Sequence, residues 1–159
     1  MNTFVVYDSQ FGNTERIAQE IVSTLRAFGQ TRAVRVDPTQ AVDFQGVDLL
    51  ILGSPTQGWR PTPAMQSFLE HIPRQALNGL RVACFDTRFQ QPRWITGSAA
   101  RRIAKQLRKR GVELIAAPES FFVKSTQGPL VDGEMERAVQ WALGIHHQCE
   151  APQPHLSAR

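Results

Sequence analysis

Ser9, Gly12, Asn13 and Thr14 are the residues of this chain with the most evident capacity for chemistry. They belong to Ser9-Gln10-Phe11-Gly12-Asn13-Thr14, which follows the β-branched and aromatic run Thr3-Phe4-Val5-Val6-Tyr7. Beyond them, apolar residues recur at Ile17, Ile21, Val22, Leu25 and Phe28. The first run reads as a strand and the second, with its 3.6-residue period, as a helix. Two hydroxyls and an amide are neutral donors, and a glycine lets the backbone approach a ligand closely. The first turn of a helix adds free N–H groups at its positive end. Such a loop can hold a phosphate without a cationic side chain. The same residue types also cap helices with no ligand present, so spacing alone leaves both readings open. No Gly-Lys-Ser/Thr run and no GxGxxG follows, which excludes the two common nucleotide fingerprints.

Two further segments could enclose a flat ring. They are Ser54-Pro55-Thr56-Gln57-Gly58-Trp59-Arg60 and Asp86-Thr87-Arg88-Phe89-Gln90-Gln91-Pro92-Arg93-Trp94. Trp59 with either Phe89 or Trp94 can stack on a planar ligand, and the neighbouring polar groups can reach its edge.

These segments need elements to position them. Arg32–Val36, Val47–Leu52 and Leu80–Phe85 read as further strands, the third of the chain being apolar almost throughout, as expected when both faces are covered. Glu113–Ala117 and Phe121–Val123 read as a fifth strand interrupted at Pro118. Helices are expected around Met65, Phe68, Leu69 and Ile72, over residues 98–110, and around Met135, Ala138, Val139 and Ala142. Alternating strands and helices imply a parallel sheet with right-handed crossovers and helices on both faces. Five strands suit a doubly wound α/β sandwich of three layers with strand order 2-1-3-4-5, whose ligand crevice lies at the carboxyl ends of strands one and three. One domain is expected over residues 1–145, followed by a loose tail, 146–159, with His146 and His147 exposed.

Composition narrows the classes. The chain has 159 residues, 42% apolar and 20% charged, with two cysteines and four histidines. This excludes wholesale disorder, a disulfide scaffold and a structural zinc site as expectations. No apolar run reaches the length of a membrane helix, no signal peptide is read at Met1, and a reduced cytoplasmic setting is expected. Charge is uneven: residues 71–112 hold ten of the eighteen basic residues and a single acid, Asp86. Arg101, Arg102, Lys105, Arg108, Lys109 and Arg110 read either as a solvated helix face or as a docking patch for an acidic partner. No nucleic-acid recognition pattern accompanies them.

The stretch from Val5 to Ile21 resembles the flavodoxin signature, with Tyr7, Ser9, Gly12, Thr14, Ala18 and Ile21 in place. Gly53-Ser54-Pro55-Thr56, Val82-Ala83-Cys84-Phe85 and Gly128-Pro129 continue the resemblance to about residue 145. It implies a flavodoxin-like FMN-binding domain of the short-chain form. The cofactor contacts it implies are Ser9, Gln10, Phe11, Gly12, Asn13 and Thr14, then Ser54, Pro55, Thr56, Gln57, Gly58 and Trp59, then Asp86, Thr87, Arg88, Phe89 and Trp94. A response regulator, which shares the strand order, is excluded because strand three ends in Leu52-Gly53-Ser54 with no aspartate to phosphorylate.

The resemblance implies an electron carrier that passes electrons between redox partners; its oligomeric state is left open, a monomer being favoured. Those partners would be acidic ones approaching the basic 88–110 segment, with no nucleic acid and no membrane span. Two other functions stay open: an FMN-dependent NAD(P)H:quinone-type reductase or protoporphyrinogen-oxidase-like enzyme, and a flavin-free interaction module. In the family the loop after strand four often carries glycine and acidic residues; this chain has Arg88 and Arg93 there, with Phe89 where an acid is common. An arginine about 7 Å from the ring would raise the flavin potential by about 50–100 mV at an effective dielectric of about 20–40.

Overall fold

The central strands are buried on both faces, and successive side chains point to alternate ones, which sets the layers. A computed structural model describes residues 1–37, 39 and 42–151. Its elements are β1 (Thr3–Tyr7), α1 (Asn13–Leu25), β2 (Thr31–Arg35), β3 (Leu49–Pro55), α2 (Pro63–His71), β4 (Arg81–Phe89), α3 (Arg93–Thr96), α4 (Ala99–Lys109), β5 (Glu119–Val123) and α5 (Glu134–Glu150). The five strands form one sheet in the order β2-β1-β3-β4-β5, and every neighbouring pair is parallel. Val5, Leu49, Ile51, Ala83 and Phe85 pack with α1 and α5 on one face. Val6, Leu50, Leu52, Val82 and Cys84 pack with α2 and α4 on the other. This is the three-layer doubly wound α/β sandwich that the alternation of elements implies.

β3 shifts from Val47–Leu52 to Leu49–Pro55, and three further differences from the sequence reading have a physical reason. β4 runs to Phe89 rather than Phe85, because β3 and β5 flank it and pair with its last residues. Glu113–Ala117 adds only one bridge, Leu114 beside Val82, and β5 begins at Glu119. Pro118 has no N–H to continue a ladder. The expected loose tail does not begin at residue 146. α5 continues to Glu150, with His146 buried and stacked on Phe28 at 3.7 Å between ring centroids, and with Cys149 buried. Ala138, Ala142, Ile145 and Cys149 keep the helical stripe running, and the helix ends where Ala151 precedes Pro152. The rest of that expected tail, 152–159, lies outside the described residues.

Two buried residues fix the strands near the crevice. Gly53 of β3 faces the ring of Phe85, and a Cβ on it would lie 2.2 Å from that ring. Phe85 is itself wedged edge-on against Phe121 and Trp141. Asp86 of β4 is fully buried. Its Oδ2 accepts from Ser98 Oγ at 2.5 Å and from the Ala100 N–H at 3.0 Å, which ties β4 to the start of α4. Burial pushes the Asp86 carboxyl up from the ordinary carboxylate range, and these hydrogen bonds with the Arg88 charge pull it back only in part.

Gly53→Ala is expected to cost about 1–3 kcal/mol through overpacking against Phe85, read as a lower urea midpoint with an unchanged slope. A buried acid whose folded pKa is raised destabilises the fold as it ionises, so its cost is absent at low pH. It grows as pH climbs from about 4, the unfolded value, toward the folded one. Asp86→Asn should therefore gain stability relative to the parent chain as pH rises through that window. A stability difference that stays flat with pH would contradict this.

Candidate functional site

The β1–α1 loop carries the first half of the site. Ser9 Oγ accepts the N–H groups of Gly12, at 3.1 Å, and Glu15, at 3.3 Å, and so folds the loop onto the start of α1. Its own hydroxyl proton is left to donate elsewhere. Gly12 has φ 88°, a conformation that favours glycine, and stands as the residue before the helix. The N–H groups of Gln10, Phe11, Asn13 and Thr14 donate to no group among the described residues. They stand at the positive end of a 13-residue helix, beside the Thr14 hydroxyl, which lies 2.8 Å from that of Thr87 on β4. Asp8 accepts none of these four N–H groups; its Oδ1 is held by Arg35 and the Ser9 N–H. Unpaired donors gathered without an opposing carboxylate suit an anion such as a phosphate monoester.

The second half is built from the β3–α2 and β4–α4 connections. Gln57 and Arg60 exchange both backbone hydrogen bonds around Gly58 and Trp59, whose φ angles are 52° and 65°. This is a tight turn in which a tryptophan occupies a conformation that side chains other than glycine avoid. The neighbouring loop holds it there. The indole N–H donates to Ile95 O at 2.6 Å, and Gly97 lies so close that a Cβ would come 2.3 Å from the Trp59 ring. Across the opening, the Gln57 side-chain amide donates to the Gln10 side-chain oxygen and links the two loops.

Between these parts lies a cavity of about 380 Å³, within the range of small-molecule sites. Thirteen of the residues expected to contact a cofactor line it: Ser9, Gln10, Phe11, Asn13, Thr14, Pro55, Thr56, Gln57, Gly58, Trp59, Thr87, Arg88 and Phe89. Four do not. Gly12 shapes the loop from outside. Ser54 is buried, accepting the Thr62 N–H at 3.1 Å and donating to Pro55 O, so it braces the turn. Asp86 lies beneath the start of α4, where it accepts from Ser98 and Ala100, and the strand carries Arg88 past that point. Trp94 lies on α3, 81% exposed and outside the cavity, so of the two alternatives only Phe89 joins Trp59 there.

Gln91, Ile95, Thr96, Val123 and Thr126 also line the cavity and were not expected. The first three lie in or just beyond the segment singled out after strand four. The last two follow from the rule that the crevice gathers the carboxyl ends of strands, which applies to β5 as well.

Among the described residues, Arg88 is the one charged residue lining the cavity. It is buried, and its guanidinium donates to four neutral acceptors: Ser120 Oγ at 3.0 Å, Phe89 O at 3.2 Å, Gln91 O at 2.7 Å and Thr96 Oγ1 at 3.0 Å. Burial pushes it down from the ordinary arginine value, with Arg93 and Arg101 pushing the same way and Asp86 opposing. Arginine is not deprotonated in proteins, so Arg88 is a cation at neutral pH. Arg93, its counterpart in the sequence reading, lies outside the cavity. Among the described residues, no group of three or more His, Cys, Asp or Glu is placed to hold a metal ion.

No curated protein matches the chain by sequence. Solved structures do. A flavodoxin from the domain Archaea superposes with a TM-score of 0.77 at 17% identity, covering 95% of this chain and all of the other. Flavodoxin 2 from Bacillus cereus superposes with a TM-score of 0.77 at 25% identity, covering 93% and 99%. The rubredoxin oxygen:oxidoreductase of Desulfovibrio gigas matches 94% of this chain with 37% of its own length, at 16% identity and a TM-score of 0.70. The family model for flavodoxin matches residues 5–141. With that match spanning most of its length and the sheet order 2-1-3-4-5 beneath it, the chain belongs to the flavodoxin family, whose members bind FMN.

Proposed function

We propose that this protein holds FMN in the cavity between the β1–α1, β3–α2 and β4–α4 connections and carries electrons between redox proteins. The observation that supports this most directly is the difference between the two parts of the cavity lining. One offers the hydroxyls of Ser9 and Thr14 and four unpaired N–H groups, suited to a phosphate; the other offers Trp59, Phe89, Pro55 and Ile95, suited to a flat ring. Bound FMN would supply the redox chemistry itself. The chain's own work is to anchor the phosphate, to shield the ring from water with Trp59 and Phe89, and to set the local charge through Arg88. The donor and acceptor are partner proteins, acidic ones on the side of the basic 88–110 segment. Both cysteines, Cys84 and Cys149, are free, which supports a cytoplasmic setting. No described helix is long and apolar enough to cross a membrane.

Titrating the flavin-free protein with FMN and with riboflavin, followed by fluorescence quenching, tests the anchor. FMN should bind about 100-fold or more tighter, since several charge-assisted hydrogen bonds depend on the phosphate. Thr14→Val should weaken FMN about tenfold and leave riboflavin nearly unchanged. Equal affinity for both flavins would count against the reading.

Arg88 sets a second test. A cation beside the ring favours the more anionic, reduced flavin, so removing it must lower the potential. Arg88→Gln is expected to lower it by about 50–100 mV. Arg93→Ala should lower it by less, because Arg93 is exposed, outside the cavity and screened by water. Redox titration of both variants against a dye of known potential reads the order; a larger effect from Arg93 would reverse the assignment.

A further inference from the structure

A second, shallower concavity of about 440 Å³ adjoins the cavity, lined by Trp59, Arg93, Trp94, Arg101, Arg102 and Lys105. Trp59 lines both. Among the described residues, the side chains of Arg93, Arg101, Arg102 and Lys105 make no ion pair and no hydrogen bond. The only acid between residues 71 and 112, Asp86, is buried on the α4 cap and cannot neutralise them from solution. Arg101 and Lys105 stand at i and i+4 on α4, a like-charge pair that weakens the helix carrying it. Trp94 is the most exposed of the large apolar residues. Phe11, Trp59, Phe89 and Ile95 are exposed too and line the neighbouring cavity, so five of the seven such residues among those described collect at one end of the molecule. An apolar centre rich in tryptophan and arginine, bordered by unneutralised cations, has the composition of a protein–protein hot spot.

We propose that this face docks an acidic one-electron carrier protein. Trp94 enters the partner's surface, and Arg93, Arg101, Arg102 and Lys105 meet its carboxylates. The proposal rests on the reading of the cavity as the FMN site. On docking, one electron leaves the partner's reduced centre, which is oxidised, and enters the flavin, which is reduced; no covalent bond forms or breaks. A small anionic hydride donor fits this groove less well. Trp59, tethered to Ile95 O and backed by Gly97, separates the groove from the cavity, so a ligand in the groove would not touch what the cavity holds. Hydride transfer needs that contact, whereas electron transfer does not. The cations also come from two helices, Arg93 on α3 and Arg101, Arg102 and Lys105 on α4, which suits a protein surface with several carboxylates.

The experiment uses the FMN-loaded protein, checked first by its flavin absorption, and an acidic [2Fe–2S] ferredoxin, chemically reduced, as donor. Flavin reduction is followed by stopped flow at low and at high NaCl. The rate should fall steeply with salt, since opposite charges lose their steering. The double variant Arg101→Glu, Arg102→Glu should slow it about tenfold or more at low salt, whereas Arg16→Glu, Arg26→Glu, with the same change in net charge elsewhere, should slow it much less. Trp94→Ala should slow it about fivefold and keep the salt dependence, because it removes an apolar anchor and no charge. Rates indifferent to the Arg101, Arg102 pair, or slowed equally by the Arg16, Arg26 pair, would overturn the docking face while leaving the flavin site intact. Direct reduction by NADPH that the Arg101, Arg102 variant abolishes would overturn it in favour of a dinucleotide groove. A protein that takes up no FMN would overturn the functional reading and this one with it.

Discussion

β1 pairs with β3 at the seam where the sheet reverses its winding, so the chain leaving β1 turns to one face and the chain leaving β3 turns to the other. The two loops part there and leave a crevice that no helix covers. Everything the site offers follows from that divergence. α1 begins on one side with its first-turn N–H groups open, and the Gln57–Arg60 turn projects on the other. The contacts that close the crevice are few and polar: the Thr14 and Thr87 hydroxyls at its base and the Gln10 and Gln57 side chains across its mouth. A hydroxyl contact in a buried position is a strong constraint, because separating the partners would leave a polar atom unsatisfied.

β4 shows how one strand serves two roles. Its last residues alternate, so Asp86 and Arg88 share a face and Thr87 takes the other. Thr87 reaches the β1–α1 loop, Asp86 locks the first turn of α4, and Arg88 crosses to the Ser120 hydroxyl, the Gln91 carbonyl and the Thr96 hydroxyl. The acid and the base are not interchangeable parts of a ligand shell. Asp86 is spent on architecture, and Arg88 is left to give the cavity its charge. A cavity lined by one buried guanidinium and no carboxylate differs electrostatically from an acidic one, whatever the similarity of the backbone around it.

The positive φ of Trp59 is the clearest strain near the site. A turn of this kind normally uses glycine or asparagine at both central positions. Here the Ile95 carbonyl and the bare face of Gly97 hold the indole where it both walls the cavity and faces the basic groove. Backbone strain held by surrounding contacts in this way is common at functional sites.

Much of this was legible in the amino-acid order. Strand and helix periods are local, so five strands, a parallel sheet and an anion-suited loop at Ser9–Thr14 could be read without coordinates, as could the aromatic loop around Trp59. What could not be read was orientation and extent. Asp86 and Arg88 are two residues apart in one segment, and nothing in their types says that β5 pairs alongside and extends β4, turning the first onto α4 and the second into the cavity. Trp94 and Phe89 are equally plausible stackers in one dimension; α3 carries the first outward. His146 reads as part of a polar tail in the sequence, yet α5 runs on through it and Phe28 stacks on its ring. Chain order determined which elements form, because the periodicity of apolar burial is written residue by residue. Tertiary structure alone decided which side chains share a space, because that depends on pairings between segments far apart in the chain.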